Sequence, residues 1–205
     1  MAERIDNTWP APIVALKSNF IYLPIPKVAC SSIKSAIAYF ENIPLKNNDP
    51  HQTNFPIVSL QDTYSSSLPS FAFVRHPISR LYSCWKDKVR FNLTKEFQRF
   101  DSFYSGMPFE AFVKAVMRIP DDMADGHFRS QHLYICHNGF KAATYIAKLE
   151  NSTEEWTKIC EWLRLPALAL PTRNKAQGNY NHSKHVLDMI YERYETDFNK
   201  FNYEV

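Results

Sequence analysis

An α/β domain with a largely parallel sheet is the fold predicted by this sequence. Three observations predict it. Short apolar runs of strand type alternate with amphipathic stretches of helical period. The strand-like runs lead into helices within a few residues, as in units whose strands run parallel. The 205 residues, 45% of them hydrophobic, suffice for one domain with a full-sized core. The expectation is a single three-layer domain over residues 1–205, its central sheet flanked by helices.

Phe20-Ile-Tyr-Leu-Pro-Ile25 is a short aromatic and apolar run that reads as a buried strand. From Ser31 to Glu41, Ile33, Ile37 and Phe40 recur at helical spacing, with Ser31 or Ser32 near the cap. Asn47 to Asn54 and Ser65 to Ser67 read as loops. Ser70-Phe-Ala-Phe-Val-Arg75 repeats the strand pattern, and Pro77 then opens a helix with the stripe Ile78, Leu81, Tyr82, Trp85 and Val89. A helix after Pro108 carries Phe109, Phe112, Val113 and Val116, and Ala143 to Leu149 reads as a strand. Ser152-Thr-Glu-Glu155 has capping-box spacing ahead of a face of Trp156, Ile159, Cys160 and Leu163. The last helix, Ser183 to Phe198, sets Val186, Leu187, Ile190, Tyr191 and Tyr194 against charged residues.

Glycine is the informative count. There are 4, about 2% against a usual ~7%, and the first, Gly106, lies past the midpoint. A G-x-G-x-x-G dinucleotide loop and a G-x-x-x-x-G-K-[ST] loop are both excluded. A phosphate must therefore be held by a loop without glycine. Cys30, Cys84, Cys136 and Cys160 show no C-x-x-C spacing, so neither zinc nor a redox dithiol is expected. His127, His132 and His137 recur at five and five, which does not align ligands on one helical face. A net charge of +3 is too small to argue for a nucleic-acid partner. No run approaches the roughly 18 apolar residues of a membrane span, and MAERIDNTWP is not of signal-peptide type, so a cytoplasmic protein is expected.

Two strand-to-helix turns carry chemistry. In Pro24-Ile-Pro-Lys-Val-Ala-Cys-Ser-Ser-Ile-Lys34, a helix beginning near Cys30 offers backbone N–H groups and the positive end of its dipole. Ser31 and Ser32 add hydroxyls, Lys27 adds charge, and small Ala29 and Cys30 permit close approach by an anion. A capped helix with a solvated lysine has the same spacing. In Phe73-Val-Arg-His-Pro-Ile-Ser-Arg-Leu-Tyr-Ser83, Arg75 stands where the strand ends, the side on which open α/β sheets bind ligands. Ser83 falls about 120–140° from the centre of the apolar stripe, so it is not a core residue. An arginine and a hydroxyl suit a phosphate monoester, although a solvated arginine and an exposed serine are common.

Pro26-Lys-Val-Ala-Cys-Ser-Ser-Ile-Lys34 closely resembles the 5′-phosphosulfate loop of the carbohydrate sulfotransferases, in the branch of the HNK-1 and chondroitin enzymes. Phe73 to Ser83 resembles that family's 3′-phosphate motif, with arginine and serine eight positions apart. His127-Phe-Arg-Ser-Gln131, Ala147-Lys-Leu-Glu-Asn151, Arg173-Asn-Lys175 and Ile190 to Phe198 also resemble family segments, so the likeness runs from about Phe20 onward. Three positions depart from it: His76 for the usual Asp or Asn, Ser31 for Thr, and Ala176 for Ser. These residues include no stretch like the membrane anchor of the Golgi members, so a soluble, bacterial-type relative is expected.

The resemblance implies a sulfotransferase fold related to the P-loop NTPases. It also implies transfer of a sulfuryl group from 3′-phosphoadenosine 5′-phosphosulfate (PAPS) to a hydroxyl, most naturally of a carbohydrate. Lys27 and the backbone and hydroxyls of Val28, Ala29, Cys30, Ser31 and Ser32 would hold the 5′-phosphosulfate. Arg75 and Ser83 would hold the 3′-phosphate, with Arg173 and Lys175 also at the donor. A sulfuryl group carries less charge than a phosphoryl group, so no metal is expected. Histidine is the natural base near neutral pH, and His51 and His127 are the two contenders, His51 ranked slightly ahead. Two other classes compete: a nucleotide-dependent kinase, against which the missing G-K-[ST] counts, and a non-catalytic module binding nucleotide or glycan. Activity with ATP and Mg²⁺, or isotope transfer from labelled PAPS, separates the three.

Overall fold

The computed structural model describes residues 10–137, 139–170 and 182–204. The chain forms two compact units, each assembled from two stretches of sequence. The first takes residues 1–74 and 133–174, and the second 75–132 and 175–205. The architecture is α/β, with an open, mostly parallel sheet flanked by helices.

The sheet belongs to the first unit. Its strands β1 (Ile13–Ala15), β2 (Phe20–Tyr22), β3 (Ser70–Val74) and β6 (Tyr145–Lys148) lie in the order β1-β2-β3-β6. β2, β3 and β6 run parallel, with Tyr22 opposite Phe71 and Val74 opposite Lys148, and β1 is an antiparallel edge. The outer side of β1 is covered by residues 56–58: Val14 N–H donates to Pro56 and Val58 N–H to Pro12. That cover removes an open strand edge. β1, β2 and β3 are buried at every position, as strands with both faces covered must be. β4 (Cys136–His137) and β5 (Phe140–Lys141) form a small separate hairpin.

Three helices complete this unit: α1 (Cys30–Glu41), α2 (Leu60–Ser65) and α5 (Ser152–Trp162). Phe71 is the centre of its aromatic core, 5.1 Å from the Tyr22 ring, 5.6 Å from Phe20 and 6.1 Å from Trp156 of α5. Trp156 also stacks on Phe40 of α1. The ends of the helices differ from expectation. α1 is entered through Ala29 in a left-handed conformation with no side-chain cap, so neither Ser31 nor Ser32 caps it. The Ser152 capping box does not form either. A 3-10 turn at Leu149–Asn151 makes Asn151 the N-cap and leaves Ser152 with helical angles inside the helix.

The second unit is helical, with α3 (Pro77–Lys88), α4 (Phe109–Met117) and α6 (Lys184–Lys200). Ile78 and Leu81 of α3, Phe112 and Val116 of α4, and Ile190 and Phe198 of α6 share one core with Phe97, Phe103 and Phe128 from the connecting segments. Ser183 caps α6 by accepting from Val186 N–H. The segment before residue 130 is pinned from two sides. Arg80, 2% exposed, donates to the carbonyls of Arg129 at 2.7 Å and Gly126 at 3.0 Å, and Tyr194 Oη donates to the Phe128 carbonyl. Among the described residues no helix is long and apolar enough to cross a membrane.

Candidate active site

The turn after β2 keeps its shape without glycine by placing ordinary residues where glycine is usual. Lys27 has φ 70° and Ala29 φ 52°. Each left-handed non-glycine residue costs roughly 1–2 kcal/mol, and such backbone is held in place only by its surroundings. Val28 and Cys30 supply the holding. Val28 is fully buried, and its N–H donates to the Ile25 carbonyl at 3.2 Å. Cys30 Sγ–H donates to the same carbonyl at 2.7 Å and accepts from Tyr22 Oη at 3.6 Å. Burial pushes the Tyr22 phenol well above its ordinary pKa, which keeps it a donor in this chain of contacts. Cys30 therefore anchors the turn through its side chain.

Left-handed residues flank Val28, and backbone that alternates in this way is one route to an anion-binding concavity. α1 begins directly after it, and a helix start adds its own N–H groups and dipole. Ser31, on the first turn, meets His51 from the loop beyond α1: Ser31 Oγ lies 2.7 Å from His51 Nε2. His51 is exposed, and its own N–H donates to Asp49 Oδ1 at 2.8 Å. That bond, with one from Gln52, holds the Asp49 carboxyl below its ordinary pKa. The structure thus brings Ser31 and His51 together, and Lys27 and Ser32 lie in the same unit.

Lys34 is a residue that sequence reasoning quoted but left without a role. It is 8% exposed, one turn past Cys30. Burial lowers its pKa, while the Cys30 thiol and the Asp49 carboxylate act in the opposite direction. Side chains on a helix lean toward its N-terminus, so the apolar stem of Lys34 covers the turn that carries Cys30.

Arg75 and Ser83 lie in the second unit. Arg75, 8% exposed, is the first residue past β3, and its backbone is gripped by the side chain of Gln131. His76 is the N-cap of α3, with Pro77 at the first helical position. The His76 ring packs edge-on against Phe198 and Tyr203, and its Nε2 lies 2.8 Å from the Glu204 carbonyl. Ser83 is half-buried on α3. His127 is held by a carboxylate, its Nδ1 lying 2.6 Å from Asp125 Oδ1. Burial raises the Asp125 pKa, but the bonds from the His127 ring and backbone outweigh it and keep the group ionised below its ordinary value. Arg173 and Lys175 fall outside the described residues. Among the described residues no group of three or more His, Cys, Asp or Glu is arranged to hold a metal ion.

The model of the sulfotransferase family matches residues 11–204. The chain belongs to the sulfotransferase family. No curated protein and no solved structure gives a match. The sulfotransferase match takes in both units, the glycine-free turn and the Arg75–Ser83 segment. Gln131 and Asp197 of this sulfotransferase lie in segments that resemble the family, but sequence reasoning assigned neither a role. Their partners are 56 and 66 positions away, beyond the range of any local pattern.

Proposed function

We propose that this chain is a PAPS-dependent sulfotransferase that sulfates a hydroxyl, most naturally on a carbohydrate, as its resemblance to the HNK-1 and chondroitin branch implies. Residues 1–205 act together as one sulfotransferase domain. The observation that carries the reading is the Ser31–His51 contact of 2.7 Å on the first turn after a left-handed, lysine-bearing loop. The contact sets an imidazole against Ser31, within the segment that resembles the 5′-phosphosulfate loop, in a chain of the sulfotransferase family.

The residues present fit the donor. PAPS supplies the activated sulfuryl group. Lys27 and the turn from Val28 to Ser32 bind its 5′ end, and Arg75 and Ser83, with Arg173 and Lys175, bind the 3′-phosphate side. The Lys27 ammonium offsets the negative charge that gathers on the leaving oxygen, which makes it a transition-state contact. His51 takes the proton of the acceptor hydroxyl, a role open to an imidazole near neutral pH.

Adenosine 3′,5′-bisphosphate is accordingly expected to stabilise the fold by mass action. At one hundred times its Kd the gain is about 2.7 kcal/mol, seen as a rise in Tm. ADP lacks the 3′-phosphate and is expected to give a much smaller rise at the same concentration. Equal shifts from the two nucleotides would sink the two-turn reading, and transfer of labelled sulfate from PAPS to a panel of glycans tests the acceptor.

A further inference from the structure

The ladder of β3 ends at Val74, opposite Lys148, and Arg75 is the first residue past it. The backbone there still has two polar groups to satisfy, and one side chain satisfies both. Arg75 N–H donates to Gln131 Oε1 at 2.9 Å, and Gln131 Nε2 donates to the Arg75 carbonyl at 2.8 Å. A side-chain amide carries one acceptor and two donors, so Gln131 pairs with Arg75 much as another strand would.

The amide is itself locked. Gln131 N–H donates to Asp197 Oδ2 at 2.7 Å. The other oxygen of that carboxylate accepts from His132 N–H at 2.9 Å and lies 2.7 Å from His132 Nδ1. Gln131 and Asp197 are both 0% exposed. Buried polar groups of this kind are costly to leave unpaired, so the arrangement resists rotation of any one member. All four residues lie in the second unit.

We propose that Gln131, held by Asp197 of α6, is a positioning residue that sets Arg75 to receive the 3′-phosphate. The inference rests on the function proposed above. A guanidinium recognises phosphate through a planar fork, so its yield depends on where the arginine backbone is fixed. A rotation of the peptide planes flanking residue 75 swings that fork away from its target. The Gln131 side-chain amide bonds to the backbone of Arg75 through both its oxygen and its nitrogen, so its effect on the donor is routed through Arg75.

Calorimetric titration of the full chain with adenosine 3′,5′-bisphosphate and with ADP tests this. Gln131→Met is expected to weaken the bisphosphate by about tenfold or more, ~1.4 kcal/mol, and to leave ADP within about twofold. In an Arg75→Ala background, Gln131→Met is expected to cost no further affinity, because the two act as one unit. Should Gln131→Met fail to fold, Asp197→Asn carries the same test and is expected to show the same selective loss. Equal weakening of both nucleotides, or a loss that persists without Arg75, overturns the positioning role and leaves the donor reading standing. A wild-type chain that does not prefer the bisphosphate overturns both.

Discussion

Lys27→Ala is expected to lower kcat by about 10²–10³ while adenosine 3′,5′-bisphosphate binds almost as before. The magnitude is that of removing one preorganised electrostatic contact from a developing anion. The lysine is suited to this because its backbone is fixed in the left-handed region, between buried neighbours that do not let the turn relax. Arg75→Ala makes the contrast. The 3′-phosphate does not react, so losing its partner weakens ground state and transition state alike and raises the KM for PAPS with kcat largely kept. Steady-state kinetics with PAPS varied separates the two. A Lys27 variant that changes only KM, beside an Arg75 variant that changes only kcat, would reverse the assignment of roles.

His51→Ala is expected to cut kcat by at least ~100-fold, the usual contribution of a positioned base, and to leave bisphosphate binding intact. His51 lies on an exposed loop, joined to α1 by the Ser31 contact and steadied by the Asp49 bond to its own N–H. The His127 ring is instead tied to a carboxylate at 2.6 Å, so His127→Ala is expected to reduce activity less. Turnover that survives His51→Ala and collapses in His127→Ala makes His127 the base. Full activity in both points to a carboxylate. Folding of each variant is checked by its Tm, since loss of the His127–Asp125 pair can act on stability alone.

The helices α1, α3, α4, α5 and α6 were legible because each carries an apolar stripe long enough to show its period. The strands β2, β3 and β6 were legible as apolar runs next to them. β1 was not, because the three residues Ile13–Ala15 are too few to show alternation. The six residues of α2 and the two-residue strands of the β4–β5 hairpin fail for the same reason. The Ser152 box misled because capping depends on backbone angles at a single residue, and a preceding turn moved that residue to Asn151. The turn after β2 stands out by its lysine and serines, but its shape does not. Positive φ is advertised by glycine, and here Lys27 and Ala29 adopt it. Gln131 differs: its segment is legible as family-like, but its pairing with Arg75, 56 positions away, is visible only in the folded chain.

The interleaving of the two units bears on the order in which the protein is made. β3 must wait for β6, a wait measured by the 74 positions that separate Ser70 from Thr144, which share a hydrogen bond. The helical core needs α6, so the hydrophobic faces of α3 and α4 are synthesised long before their cover arrives. Pairings of such long range are slow to close, and during the interval exposed apolar surface favours aggregation. The first unit still lacks residues 133–174 when the second begins, so a nascent chain has no finished half until those are made. Residues 184–200 are the last part of that core to leave the ribosome, and until they arrive the faces of α3 and α4 stay open.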